Sequence, residues 1–416
     1  MVRKLLTMGV WRIAGLAAGA FGSIWAARCL APEKLGISGM VNAYGTQAFL
    51  FVHMGLAPLL IREYKSSPAE RHSDQDRLIS ETTSYRLLIA LLLSSVWIAV
   101  CVVLRIPQDW WFATAMGILS LLASALTTDW VLQAQENQVT QQRLTAFGGF
   151  LSALLLFGLI RKDSPAGSDL AVSTIVVLVV CVVTWRISLN GQHQIALSLG
   201  RALAGLPRLW KGRWLFLSGI LIYVYVRLQV PMLGWLRSTE ELGQYRSALQ
   251  VANGVQPLLA LVPALLYPRM IAWSKISKSF LWKKQIEIAG ALTLLGAICA
   301  VATFLIIPPV YPMLFGPAFQ AAALPCCLLI LSHIVVLVNG VFSYGLWSLE
   351  KDFIMLLIMA VTAAVSLALN LILIPRFGML AAASVTVFAE LMILAGCFFF
   401  QYRQCHPSIR LRVDRE

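Results

Sequence analysis

Stretches of about twenty apolar residues recur along almost the whole chain, and no other feature limits its fold so severely. A run of that length, at 1.5 Å per helical residue, matches the roughly 30 Å hydrocarbon layer of a bilayer. Inside lipid the backbone has only itself to hydrogen-bond, so each run must become a helix. About twelve runs are legible, near 5–30, 37–61, 78–104, 110–134, 142–160, 169–187, 214–236, 245–271, 281–306, 318–346, 353–374 and 378–401. Of the 416 residues 59% are hydrophobic and only 12% charged, against about a quarter charged in a soluble domain. The expected fold is an all-α polytopic membrane protein, and no soluble domain of any size is left over.

The eight cysteines do not make a disulfide framework. Seven lie in or beside apolar runs, where cysteine behaves as a small hydrophobe; Cys405 stands in a polar tail. Residues 1–30 begin like a secretory signal, but Arg12 interrupts the apolar stretch and Arg28 precedes Cys29, so the segment reads as an uncleaved first helix.

Lysine and arginine in the connecting loops set the orientation. With the N-terminus cytoplasmic, about 22 of the 33 basic residues fall on the inner side, which places both termini in the cytoplasm. The net charge of +14 then reflects loops facing anionic headgroups and calls for no nucleic-acid partner. The segment 188–213 has apolar residues at helical spacing with basic punctuation, as in an amphipathic helix lying on the inner surface. The expected organisation is an N-lobe of six helices (1–187), this linker (188–213), a C-lobe of six helices (214–402) and a basic cytoplasmic tail (403–416).

The two halves share a phrase. Glu33-Lys34-Leu35-Gly36 and Glu240-Glu241-Leu242-Gly243 lie 207 residues apart, and at the same offset Arg62 meets Arg269. Six helices per half make the repeat parallel, related by a pseudo-twofold along the membrane normal, with substrate sites expected near mid-membrane between the bundles.

Polar groups within the runs are the candidate functional residues, because ionisable side chains there are costly and face a cavity or a partner. Arg12, Arg86 and Arg227 fall in helices 1, 3 and 7, Asp129 in helix 4 and Glu390 in helix 12. For each, a structural ion pair or snorkelling competes with ligand contact. Tyr223 and Arg227 are i and i+4, hence on one helix face, ahead of Pro231; an aromatic ring beside a guanidinium suits a sugar and a phosphate. Glu390 is expected as the counter-charge of Arg227, or, with Asp129, as a proton or cation site. The second helix of each half is also polar, with Tyr44, Gln47 and His53 in one and Asn253 and Gln256 in the other. A lone histidine such as His53 or His333 reads first as a hydrogen-bonded interior residue. Gly15 and Gly19, with Gly22 beyond, permit close helix packing.

Enzyme readings find little support. Asp74-Gln75-Asp76 imitates a D-x-D metal site but stands in a short basic loop, every outer loop is short, and no P-loop is present. The chain is expected not to be an enzyme and to need no metal or cofactor.

Three segments resemble the polysaccharide-repeat-unit flippases of the multidrug/oligosaccharidyl-lipid/polysaccharide exporter superfamily. They are RCLAPEKLGISGMVNAYGTQAFLFVHMGLAPLLIREY (28–64), TTDWVLQAQENQVTQQRL (127–144) and ALNLILIPRFGMLAAASVTVFAE (368–390). Met54 departs from the family's usual Asp, and Met379 from its usual Gly. The resemblance implies two lobes in a V around a cavity. It implies a bacterial cytoplasmic-membrane protein that flips undecaprenyl-diphosphate-linked oligosaccharide, such as an O-antigen or capsule repeat unit, to the outer leaflet by alternating access. It implies membrane lipids and the polysaccharide polymerase and chain-length proteins as partners. Arg12, Arg86 and Arg227 are then the diphosphate contacts, Tyr223, Tyr44, Gln47, His53, Asn253 and Gln256 line the sugar path, and a proton or sodium gradient acts through Glu390 or Asp129. The competing readings are a drug/cation antiporter of the same superfamily, which favours acidic cavities, and a non-transporting membrane protein or enzyme of glycan assembly.

Overall fold

The computed structural model describes residues 2–54, 56–66, 72–135, 137–189, 195–211, 213–259 and 261–405. Among them the regular structure is helical, with no strand. The chain divides into two compact units, Met1–Ile220 and Leu221–Glu416.

The first unit opens with α1 (Val2–His53), whose 52 residues would run roughly 78 Å if straight, more than twice a hydrocarbon layer. It is two spans: Ala31 leaves helical geometry (φ 59°, ψ 166°) just before Pro32, which cannot donate the next backbone bond. A second break follows at Met54 (φ 48°), after which α2 (Ala57–Ser66) resumes. Then come α3 (His72–Val103), α4 (Trp110–Ala125) continued by α5 (Asp129–Ala134), α6 (Gln138–Leu159) and α7 (Ser168–Leu189). The division falls within α9 (Arg213–Arg227), and the second unit continues with α10 (Gln229–Leu236), α11 (Thr239–Leu259) with α12 (Leu261–Ile276), α13 (Lys278–Phe315), α14 (Ala323–Ser348) and α15 (Asp352–Cys405). At 54 residues α15 is again two spans, joined at Gly378 (φ 57°). Among the described residues, eight helices are long and apolar enough to cross a membrane by themselves. Counting α1 and α15 twice, and the interrupted pairs α9/α10 and α11/α12 once each, makes twelve, as expected.

Boundaries differ from expectation where turns need almost no residues. The loops expected near 31–36 and 375–377 shrink to single non-helical residues. The ninth span runs nine residues past 306, carrying Pro308, Pro309 and Pro312, and stops at Gly316 (φ 97°). Its end is buried: Tyr311 stacks on Phe315 with centroids 4.6 Å apart, and its hydroxyl lies 2.6 Å from Ser247 Oγ. Packing against these groups replaces the solvent that would otherwise favour a loop.

Within the first unit α1 lies so close to α6 that a Cβ on Gly15 would stand 2.6 Å from Ala146 Cα, and one on Gly22 2.9 Å from Ala153 Cα. A Cβ on Gly149 of α6 would collide with the Gly15 carbonyl. Gly19 has open space instead, so the contact uses Gly15 and Gly22, two helical turns apart, rather than the G-x-x-x-G pair.

The shared phrase has the same task in each unit. In the first, Lys34 Nζ donates to the Ser164 carbonyl (2.8 Å) and the Lys162 carbonyl (3.3 Å), tying the turn at Ala31 to the α6–α7 connection. Nearby, Ser38 Oγ donates to Asp169 (2.6 Å) and accepts from Gly167 N–H. In the second, Glu241, at the repeat position of Lys34, accepts the Met379 N–H (2.7 Å) beside the Gly378 turn and an Arg237 N–H (2.8 Å). The following Leu35 and Leu242 are both fully buried. The charge is reversed, since one copy captures carbonyls and the other an N–H. Met379 contributes its backbone, so a side chain there in place of the usual glycine leaves the fastening intact.

The amphipathic segment forms α8 (Leu199–Lys211), which packs on α3 within the first unit through Ala202 and Gly205. Arg208 bridges Glu63 of α2 (2.8 Å) and the buried Glu81 of α3, which also binds Arg77 (2.7 Å). Burial disfavours the charge on Arg208, but its bonds to Glu81 and Glu63 more than offset this and hold its pKa above the ordinary arginine value.

Candidate functional site

In the first unit the expected residues separate into two groups. Helix 4 is interrupted between Ala125 and Asp129, which strands backbone carbonyls inside the unit. Neighbouring side chains take over two of them, as Trp185 Nε1 donates to the Leu126 carbonyl and Arg86 to the Thr127 carbonyl (3.4 Å), while the hydroxyls of Thr128 and Ser188 pair with each other (3.0 Å). Arg86 is therefore buried, only 2% exposed, and its Nε has no acceptor among the described residues. His53 stands just before the Met54 break, stacked on Phe49 (centroids 3.9 Å apart) and close enough to Arg86 to interact electrostatically. Its Nε2 is buried with no partner among the described residues. The breaks in helices 2 and 4 thus meet around one guanidinium and one imidazole.

Tyr44 and Gln47 do not join them. They lie nine and six residues before His53 on the same helix, hence on another face, and Tyr44 packs edge-on against Trp97 (6.0 Å). Arg12 is half-buried on α1 with no ion-pair partner among the described residues. Asp129 is exposed and opens α5, where a carboxylate complements the helix dipole.

In the second unit helix 7 is interrupted at Leu228, and Pro231 has no N–H for the Arg227 carbonyl, four residues back. The Arg227 side chain ends α9 exposed, close enough to Tyr245 and His333 to act on them electrostatically, and without an ion pair among the described residues. Tyr223, one turn earlier, is half-buried, as is Asn253; the side chain of Gln256 lies outside the described residues. Glu390 is not the counter-charge of Arg227. It is 7% exposed and accepts from Asn339 Nδ2 (3.2 Å), while Asn339 Oδ1 accepts from Ser343 Oγ (2.7 Å). An amide, not the guanidinium, is the partner of this carboxylate.

Asn339, Ser343 and the buried Gln229, which reaches Thr386 Oγ1 (3.4 Å), were not anticipated. The legible signal was Asn339 and Ser343 at i, i+4 inside an apolar run, a spacing that places both on one face. No group of three or more His, Cys, Asp or Glu suited to a metal occurs among the described residues.

A family model described as "polysaccharide biosynthesis protein" matches residues 3–273. No curated protein sequence matches. Among solved structures, the lipid II flippase MurJ in an inward closed conformation aligns with TM-score 0.74 at 11% identity, covering 96% of this chain and 87% of that one. An inward-facing multidrug resistance MATE transporter of the MOP superfamily aligns with TM-score 0.63 at 12% identity, covering 96% of each. An outward-facing one aligns at 0.54 and 12%, covering 98% of this chain and 96% of that one. At these identities the likeness is one of fold.

Proposed function

The chain belongs to the polysaccharide biosynthesis protein family, and from that premise we propose that it flips a lipid-linked oligosaccharide, carried on undecaprenyl diphosphate, from the inner to the outer leaflet of a bacterial cytoplasmic membrane. The observation that carries the reading is Arg227: an exposed guanidinium near the middle of a spanning helix, at a proline-opened break, with no carboxylate bound to it among the described residues. A cation in that setting calls for an anionic cargo, and a planar guanidinium matches phosphate bidentately. Cationic drugs would call for the opposite charge, which sets the antiporter reading second. The fold shared with MurJ, a lipid II flippase, is in keeping with a lipid-borne cargo.

In this mechanism Arg227 takes the diphosphate, and Tyr223 offers its ring to a sugar one helical turn away. Arg86 and His53 form a second polar centre at the breaks of helices 2 and 4, where helical segments are able to pivot. The lobes alternate in access, with both termini cytoplasmic. A proton or sodium gradient acts through Glu390, which Asn339 and Ser343 hold within the second unit. The test is translocation of a fluorescent undecaprenyl-diphosphate oligosaccharide in proteoliposomes, read by accessibility to a periplasmic-side glycosidase. Transfer at the protein-free rate would sink the proposal.

A further inference from the structure

Arg86 is a buried guanidinium with no carboxylate bound to it among the described residues. Its one hydrogen bond among them is the long contact, 3.4 Å, with the Thr127 carbonyl. Taking a cation out of water is costly unless an opposite charge and further hydrogen bonds compensate it. The nearby acids are committed elsewhere. Glu81, five residues earlier on α3, holds Arg77 and Arg208, and Asp129 is exposed at the start of α5. We propose that Arg86 is the centre of a binding site for a small monovalent anion, chloride, inside the first unit.

Hydrogen-bond donors gather around this charge. Among the described residues of the first unit, six buried side-chain nitrogens or oxygens have no partner, and five of them belong to His53, Thr82, Tyr85, Arg86 and Trp130. Buried polar groups are nearly always paired, so a cluster of exceptions points to a bound species. Thr82 lies four residues before Arg86, hence on the same face of α3. Tyr85 and His53 are both close enough to Arg86 to interact with it electrostatically. Trp130 follows the carbonyl that Arg86 binds by three residues and packs in one apolar cluster with Tyr85 and Leu56. Thr82, Tyr85 and Trp130 are, like Arg86, at most 2% exposed.

The chemistry of these groups selects the ligand. Arg86 Nε and Trp130 Nε1 can only donate, the two hydroxyls donate as well, and His53 donates from Nε2 in one tautomer or as imidazolium. Donors around one full positive charge are complementary to one negative charge. Water would supply hydrogen bonds and leave the charge unmatched. A phosphate dianion would bury more negative charge than one guanidinium neutralises. Arg227 belongs to the other unit, so the proposal does not rest on the translocation reading.

The experiment uses the full-length protein in detergent, exchanged into potassium gluconate at pH 7 and titrated with chloride or phosphate at constant ionic strength. The readouts are the melting midpoint and chlorine-35 NMR line broadening. Chloride is expected to broaden the line and to raise the midpoint to a plateau, as a ligand of the folded state does, and phosphate to do neither. Arg86→Gln, whose amide can still donate to the Thr127 carbonyl, should weaken chloride about tenfold or more. The isosteric Thr82→Val should weaken it about two- to tenfold, and decides the matter should Arg86→Gln not fold. Arg227→Gln should respond as the parent does. A parent indifferent to chloride, an undiminished response in the folded variants of this site, or displacement of chloride by phosphate or by the undecaprenyl-diphosphate oligosaccharide would each overturn the proposal. Neither readout involves flipping, so the outcome is separate from that of the translocation assay.

Discussion

Replacing Arg227 by glutamine separates a substrate contact from a structural arginine. Its side chain is exposed and has no ion pair among the described residues, so its removal should leave stability within about 0.5 kcal/mol, as for surface substitutions generally. A charge-assisted bond to a phosphate contributes about 1.5–3 kcal/mol, and 1.36 kcal/mol is a factor of ten. Translocation at sub-saturating substrate should therefore fall roughly ten- to hundredfold with the melting midpoint unchanged. Arg227→Lys keeps the charge but loses the bidentate geometry and should fall between parent and glutamine. The assay is initial-rate flipping in proteoliposomes, with substrate affinity measured in detergent. If Arg227→Gln flips and binds within twofold of the parent, the anion-contact argument is wrong; if it gains transport of a cationic dye, the antiporter reading replaces it.

Other substitutions probe the fold and the coupling. Gly149→Ala drives a methyl into the Gly15 carbonyl across the α1–α6 contact and should destabilise by about 1–3 kcal/mol, seen as a lowered melting midpoint, while Gly19→Ala, facing open space, should not. Met54→Asn relieves a left-handed residue at the helix 2 break and should raise the midpoint, by an amount equivalent to about 1 kcal/mol. Glu390→Gln should keep the bond from Asn339 but remove the charge, so flipping should lose its response to an imposed proton or sodium gradient; a preserved response would move the coupling site elsewhere.

The spans were legible because lipid leaves a chain no choice: twenty apolar residues must be helical, and counting them needs no knowledge of neighbours. The repeated phrase was legible too, and its position showed where each pair of opening helices turns. That the copies fasten the turn by opposite chemistry, Lys34 on carbonyls and Glu241 on an N–H, depended on which groups the last turn of each unit presents.

The site divided along the same line. Arg12, Arg86, Arg227, Asp129 and Glu390 stood out because a charge in an apolar run is rare and costly. Sequence spacing places residues only along their own helix, and packing then sorted them. Arg86 was drawn inward to the carbonyls of a broken helix, Glu390 to Asn339 on another helix, and Arg227 was left exposed. The hydrophobic pattern decided that these chains cross a membrane and how often. Which cations keep no ion pair among the described residues is a property of contacts between helices far apart in the chain, and only the tertiary structure set those.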